Sequence, residues 1–316
     1  MKELIIATRG SKLALWQSEH IKELLEAAHD DLKVSLKIMT TKGDKILDTP
    51  LAKIGGKGLF TKELEDAMLR KEAHIAVHSL KDVPVVFPDG LKLAVITARE
   101  DVRDAMLSEK YASLDVLPQG AVVGTTSLRR RMQLLKIRPD LIIKNLRGNV
   151  NTRLRKLKEG EFDAIILASA GIKRLGLEKE VKHFAPIDQS IMIPASGQAA
   201  LGIEIVDEEA IEKIVSVLND ETAIIETAIE REFVAKLEGG CQVPIGINAT
   251  LQGDVIDVSC LIGLRDGKEI LKESIQIQKE NYKGVGTALA QKMIDAGARD
   301  ILKRAEDMAL NVIFED

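Results

Sequence analysis

Cysteine is nearly absent from this chain, with Cys241 and Cys260 the only two in 316 residues. Two thiols build neither a disulfide framework nor a Cys-rich metal centre, so ordinary apolar cores must carry the fold. Aromatic residues are 3% of the sequence, which leaves few stacking platforms for single strands, and a net charge of −4 argues against a nucleic-acid surface. No apolar run approaches the length of a membrane span, and Met1 to Arg9 lacks the apolar core of a signal peptide. A cytoplasmic protein with neither membrane nor nucleic acid as partner is expected. His74 and His78 lie four apart, but on a strand rather than one helical face, so no metal site is expected. What the chain does have is 45% hydrophobic residues, mean hydropathy near zero and length enough for two or three domains.

The most informative stretch is Ile75-Ala-Val-His-Ser-Leu-Lys-Asp-Val-Pro84. Ile75 to Val77 is a short apolar run that predicts a buried strand, and Pro84 forbids a helix just after it. Lys81 and Asp82 then fall in the turn at the strand's carboxyl end, either as a solvated pair or where open α/β sheets bind ligands. The same unit recurs along the chain. Leu4 to Ala7 predicts a strand ending at Arg9, with Ser11 as N-cap of the following helix. Val34, Leu36 and Ile38 alternate as a strand. Residues 40–58 then predict a long mobile loop, whose Gly55-Gly-Lys-Gly58 is not a P-loop, because Leu51 and Gly58 stand where Gly and Ser or Thr are needed. Leu59 to Leu69 predicts an amphipathic helix and Leu91 to Ile96 a strand, and Arg99 to Asp104 reads as a charged crossing between domains. Ala121 to Gly124 predicts a strand, Thr125 to Ser127 a helix cap, and Arg129, Arg130 and Arg131 occupy the first helical turns. Cations there oppose the helix dipole unless an anion sits among them. Leu141 to Ile143 leads to Arg147 and Arg153, and Ala164 to Leu167 leads to Ser169, Lys173 and Arg174.

Any one of these cations could be a solvated surface charge. Five strand ends that together carry Arg9, Lys81, Arg129 with Arg130, Arg147 with Arg153, and Arg174 predict an anion pocket, because parallel strands gather their ends on one sheet edge. Arginine suits carboxylates bidentately. The expectation is a deep cleft for a small molecule with several carboxylates, containing one conspicuous acid, Asp82. Downstream, Ile203 to Val206 predicts a strand returning toward the first domain, and Glu208 to Leu218 and Glu221 to Leu237 predict helices. Ile245 to Leu251, Val255 to Leu264 and Lys272 to Lys279 predict strands, and residues 286–309 terminal helices, which together make a small α+β domain. Cys260 shares a strand face with Ile256, Val258 and Ile262 and is expected to be buried and inert. Cys241, between Gly239-Gly240 and Pro244, has no apolar periodicity to bury it and reads either as an ordinary loop thiol or as a reactive, derivatised one.

These pieces resemble the porphobilinogen deaminase (hydroxymethylbilane synthase) family. The resemblance lies in Ala7-Thr-Arg-Gly-Ser-Lys-Leu-Ala-Leu-Trp-Gln17, Lys42-Gly-Asp44, Gly55-Gly-Lys-Gly-Leu-Phe60, His78-Ser-Leu-Lys-Asp-Val-Pro84, Gly124-Thr-Thr-Ser-Leu-Arg-Arg130, Arg147-Gly-Asn-Val-Asn-Thr-Arg-Leu154 and Gly239-Gly-Cys-Gln-Val-Pro244. It weakens beyond Leu264, and Ala199 stands where the family pattern has Gly. The resemblance implies an α/β fold of two periplasmic-binding-protein-like lobes with mixed sheets plus a small C-terminal α+β domain. The corresponding domains are 1–98 with 193–217, carrying a mobile loop at 42–60, then 99–192, then 218–316 with the cofactor-anchoring cysteine. It implies a cytoplasmic monomer that polymerises four porphobilinogen molecules into hydroxymethylbilane with release of ammonia, primed by a dipyrromethane on Cys241. Asp82 is then the catalytic acid, suited by its fixed charge to cationic intermediates. Lys81, Asp82, Thr125, Ser127, Arg129, Arg130, Arg153 and Ser11 would hold the cofactor, and Arg9, Arg147, Arg153, Arg174, Phe60, Lys53, Lys57 and Gln17 the substrate. Two other classes compete: a non-catalytic anion-binding module, and a thiol enzyme using free Cys241, which leaves the strand-end arginines unexplained.

Overall fold

The protein is described by a computed structural model covering residues 2–45, 61–238 and 243–311, with only the backbone of residues 44, 45 and 309–311. The chain divides into two compact units. One contains the described residues up to Glu100 together with Ala199–Ile224, and the other contains Asp101–Gln198 and the described residues from Ile225 onward.

The first unit is built on a five-stranded sheet. β1 (Glu3–Arg9) pairs in parallel with β2 (Lys33–Met39) and β3 (Ile75–Ser79), and β10 (Leu201–Val206) lies antiparallel between β3 and β4 (Leu91–Ile96). Helix α1 (Lys12–Ala28) begins where the sequence predicts, with Ser11 accepting a hydrogen bond from the Ala14 N–H. A short helix α2 (Lys42–Lys45) follows β2, and α3 (Lys62–Leu69) precedes β3. Both faces of the sheet are covered. Leu4, Ile6, Ile75, Val77, Ile203 and Ile205 pack in one core with Ile21 and Leu25 of α1, joined by Ile211 and Val215 of α7 (Glu209–Val215). Ala7, Ala76 and Leu91 pack in another with Leu64 and Met68 of α3. Double coverage explains why the central strands read as apolar runs rather than alternating ones.

The second unit contains a sheet of the same plan. Its order is β7 (Ile142–Lys144), β6 (Val122–Gly124), β8 (Ala164–Ala168), β5 (Asp104–Ser108), β9 (His183–Pro186), with β6 parallel to β7 and β8 and β5 antiparallel to β8 and β9. In each sheet the fourth position is filled by a strand running against its neighbours, β10 in one and β5 in the other. The sequence reading stopped β5 at a charged crossing, because only Ala105, Met106 and Leu107 are apolar and Arg99 to Asp104 masks them; all five residues of β5 are buried. β9 also escaped it, being a half-buried edge strand ending in Pro186, a residue tolerated mainly at sheet edges. Helices α4 (Leu128–Ile137), α5 (Val150–Lys158) and α6 (Ser169–Arg174) follow β6, β7 and β8.

The C-terminal part is the expected α+β element. β11 (Ile245–Gln252), β12 (Val255–Gly263) and β13 (Ile270–Gln278) form an antiparallel meander packed against α8 (Glu221–Lys236), α9 (Val285–Asp295) and α10 (Ala298–Asn311). Its core includes Phe233, Ile247, Ile256, Val258, Cys260, Ile262 and Met293. A Cβ at Gly286 would strike the Ile229 carbonyl oxygen, so α9 touches α8 backbone to backbone. Among the described residues no helix is long and apolar enough to cross a membrane.

Ala199, where the family pattern has Gly, takes a left-handed φ of 75° and is buried. A Cβ in that region costs roughly 1–2 kcal/mol, partly offset by the smaller unfolded-state entropy of Ala. Ala199→Gly is therefore expected to stabilise by up to about 1 kcal/mol, read as a rise of about 2–4 °C in Tm. A fall in Tm would mean that the position is not strained.

Candidate active site

In the first unit the site begins where β3 ends. Ser79 leads into a single 3₁₀ turn, Leu80–Asp82, closed by the Val83 N–H donating to Leu80 O at 3.1 Å. The turn is pegged from beneath. Leu80 and Val83 are buried with Ala200, and the Leu80 N–H donates to Ala200 O at 3.0 Å. Gly202 makes room for this, since a Cβ there would meet Leu80 and Leu93 at 3.0 Å. Lys81 is half-buried and Asp82 exposed, and among the described residues no hydrogen bond or ion pair engages the Asp82 carboxylate. Arg9 ends β1, half-buried. Gln17, 3% exposed, donates from Nε2 to Ser79 Oγ at 2.8 Å, tying α1 to the end of β3. Ser18 Oγ donates to Thr8 Oγ1 at 2.7 Å and secures β1 to α1 in the same way.

In the second unit the strand ends carry hydroxyls and guanidiniums. Thr125 is buried and its Oγ1 accepts from the Ser127 N–H at 3.2 Å, while Ser127 caps α4 by accepting from the Arg130 N–H. The anion that the arginines at this helix start require is supplied by the chain. Asp104, fully buried, accepts from Arg129 Nη1 at 2.7 Å, from Arg130 Nε at 2.9 Å and Nη2 at 2.7 Å, and from Gln198 Nε2 at 3.1 Å. Arg129 also donates to Ile193 O and Arg130 to Ile166 O. Burial alone would raise the Asp104 pKa, but the two guanidiniums outweigh it and hold the carboxyl well below the usual carboxylate range. Burial likewise pulls Arg129 down from its ordinary value, with Asp104 opposing it.

Asn149 caps α5 by accepting from the Thr152 N–H, and Arg153 Nε donates back to Gly148 O at 2.8 Å. Gly148 needs its φ of 106°, and a Cβ there would sit 2.7 Å from Thr152. Arg147 is half-buried just before this loop, and among the described residues nothing pairs with it. Arg174 ends α6, half-buried, and its neighbour Lys173 pairs with Asp101 at 3.2 Å. Lys53, Lys57, Phe60 and Cys241 lie outside the described residues. Cys260 is fully buried, and burial pushes its thiol up to about 12.

The structure thus places Arg9, Lys81 and Asp82 with Gln17 and Ser11 in one unit, and in the other Thr125, Ser127, Arg129 and Arg130 where β6 passes into α4, Arg147 between β7 and α5, Arg153 within α5, and Arg174 at the end of α6 rather than at the strand end the sequence predicts. Sequence reasoning missed Asp104 and Gln198. The available signal was the unneutralised arginine run opening α4.

Breaking a buried ion pair from one side costs about 3–5 kcal/mol, so Asp104→Asn should lower stability by that order. Because the folded-state pKa is depressed, this stabilisation is fully present above the unfolded carboxyl value near 4 and is lost as pH falls below it. Thermal unfolding from pH 7 to pH 3 should therefore show a flatter decline below about pH 4 for the variant than for the wild type. Parallel declines would remove Asp104 from the acid dependence.

The family description "Porphobilinogen deaminase, dipyromethane cofactor binding domain" matches residues 4–213, and "Porphobilinogen deaminase, C-terminal domain" matches residues 224–295, past the point where the sequence resemblance weakens. The porphobilinogen deaminase of Campylobacter concisus is 65% identical over 98% of this chain and 100% of its own length. That of Sulfurimonas denitrificans is 60% identical over 98% of this chain and 100% of its own. Among solved structures, the substrate binding domain of a putative molybdenum ABC transporter from Clostridium difficile covers 70% of this chain and 93% of its own at 12% identity. Its TM-score is 0.42, too distant a likeness to bear on function. On two matched domains and near-full-length identity of 60% or more, the chain belongs to the porphobilinogen deaminase family.

Proposed function

We propose that Asp82 is the catalytic acid of a porphobilinogen deaminase, the enzyme that joins four porphobilinogen molecules head to tail into hydroxymethylbilane with release of ammonia. The observation that carries the proposal is a carboxylate held on a pegged turn, at a strand's carboxyl end, with its charge unmatched among the described residues. As ammonia leaves, positive charge develops on the substrate pyrrole. A preorganised anion stabilises that charge without itself forming a bond, and the same carboxyl can hand a proton to the departing amine.

Porphobilinogen bears an acetate and a propionate, and the strand-end cations are the groups that match them. Arg9, Arg147, Arg153 and Arg174 are assigned to substrate carboxylates, where guanidinium geometry gives two parallel hydrogen bonds and so orients the ring as well as binding it. Gln17 would act on substrate through Ser79, which it already holds. Lys53, Lys57 and Phe60 complete the assignment.

A dipyrromethane, when bound, supplies the pyrrole terminus that the substrate rings extend. Lys81, Ser11, Thr125, Ser127, Arg153 and those Arg129 and Arg130 N–H groups not directed at Asp104, Ile193 O or Ile166 O are assigned to the carboxylates of such a group, and Asp82 to its pyrrole N–H groups. Cys241 is assigned as the anchor by the family resemblance, and burial that pushes the Cys260 thiol up to about 12 is in keeping with that assignment. We further propose three domains, 1–98 with 193–217, 99–192 and 218–316, in a cytoplasmic monomer. Neither nucleic acid nor membrane is a partner, the former in keeping with the net charge of −4.

Charge and shape at Asp82 are separable. Asp82→Asn keeps the shape and should lose about a hundred-fold or more in kcat, whereas Asp82→Glu keeps the charge and should retain measurable turnover. Arg147→Leu should weaken activity by far more than it lowers Tm, since in the absence of substrate its guanidinium holds nothing together among the described residues. Equal rates for the two Asp82 variants would assign the electrostatic role elsewhere.

A further inference from the structure

Under the Lys81–Asp82 turn the first unit buries a titratable cluster that none of the roles above uses. Glu204, in the centre of β10, is fully buried. Its Oε2 lies 3.0 Å from His78 Nε2, and its Oε1 has no hydrogen-bond partner among the described residues. The register places Gly202 opposite His78 and Glu204 opposite Ala76, so His78 and Glu204 are diagonal neighbours on one face of the sheet. That face packs against α3, which contributes Glu65, only 8% exposed. Burial raises the Glu65 carboxyl above its ordinary value and the nearby Glu204 raises it further, while His78 opposes the rise. The charged and titratable groups facing one another here are thus His78 from β3, Glu204 from β10, and Glu65 with its neighbour Asp66 from α3.

Apolar residues in such a place would serve stability as well or better, because a buried ionic or polar pair is often matched by hydrophobic replacement. One proton shared between the Glu204 carboxyl and Nε2 of His78 makes the bond, and the imidazole orientation is thereby set. His78 immediately precedes Ser79, which receives Gln17, and Leu80, whose N–H anchors the turn to Ala200. We propose, resting on the role assigned to Asp82 above, that His78 and Glu204 are positioning residues, whose hydrogen bond pins β10 to β3 one residue before their last paired position, Ser79 with Leu201, and so fixes Lys81 and Asp82 for the reaction.

The test replaces both partners. His78→Leu combined with Glu204→Leu removes the bond without stranding a charge, so its Tm should stay within a few degrees of wild type while kcat falls on the order of a hundred-fold with KM within about threefold. In His78→Gln the amide nitrogen reproduces the Nε2 donor, and kcat should stay within about threefold of wild type; His78→Leu alone should be as slow as the double variant. Wild-type kcat in the double variant would overturn the proposal, as would a His78→Gln enzyme as slow as His78→Leu, which also decides the matter if the double variant does not fold. Nitrogen NMR of wild-type His78 gives a readout independent of turnover. A hydrogen-bonded Nε2 signal that changes in Glu204→Leu supports the bond, and an Nε2 signal that Glu204→Leu leaves unchanged refutes it. If wild type proved inactive on porphobilinogen while that change was seen, the assigned reaction would fail and the hydrogen bond would stand.

Discussion

The buried charge of Asp104 is the constraint on which the second unit depends. A carboxylate with no exposure to water is tolerable only if its charge is paired and its lone pairs are filled, and Arg129 and Arg130 supply the charge while Gln198 adds a neutral donor. Asp104 opens β5, the two arginines open α4, and Gln198 ends the segment that leads into β10. One ion cluster therefore fixes where a strand, a helix and a crossing meet. Breaking it would disturb Thr125 and Ser127 as well, because their hydrogen bonds build the turn into the same helix.

In the first unit the corresponding fixation joins apolar packing to a backbone hydrogen bond from Leu80 N–H to Ala200 O. Leu80, Val83 and Ala200 hold the turn, and the absence of a side chain at Gly202 lets Leu80 seat. Rigid support beneath an unmatched carboxylate is what electrostatic catalysis requires, since a dipole or charge that must reorganise during reaction loses much of its effect. The fixed negative charge of Asp82 thus lies on a turn of one unit, and most of the guanidiniums named above lie on the other.

Much of this was legible in the sequence wherever a rule acts over a few residues. Ser11 and Ser127 were readable as caps and both accept from the N–H three residues on. Lys81 and Asp82 were placed by an apolar run and a proline, and Cys260 by alternation along β12. The illegible parts depend on residues far apart in sequence. The run Arg129-Arg130 announced that an anion was needed, but its source lies some 25 residues upstream at the start of a strand that too few apolar residues disclosed. Glu204 looked like the polar position of an ordinary strand, and only the covering of both sheet faces buries it beside His78. At Ala199 the expected glycine was readable as a departure from pattern, whereas its left-handed backbone was not.

The proposed function rests on a pyrrole chain that grows while covalently held on Cys241, with Asp82 as its catalytic acid. Intact-mass analysis of the purified wild-type protein, before and after mixing with a few equivalents of porphobilinogen, tests it most directly. The account predicts an adduct confined to Cys241 at the outset and a ladder of masses rising by single deaminated porphobilinogen units afterward. An unmodified Cys241 in protein that still turns porphobilinogen over would contradict it.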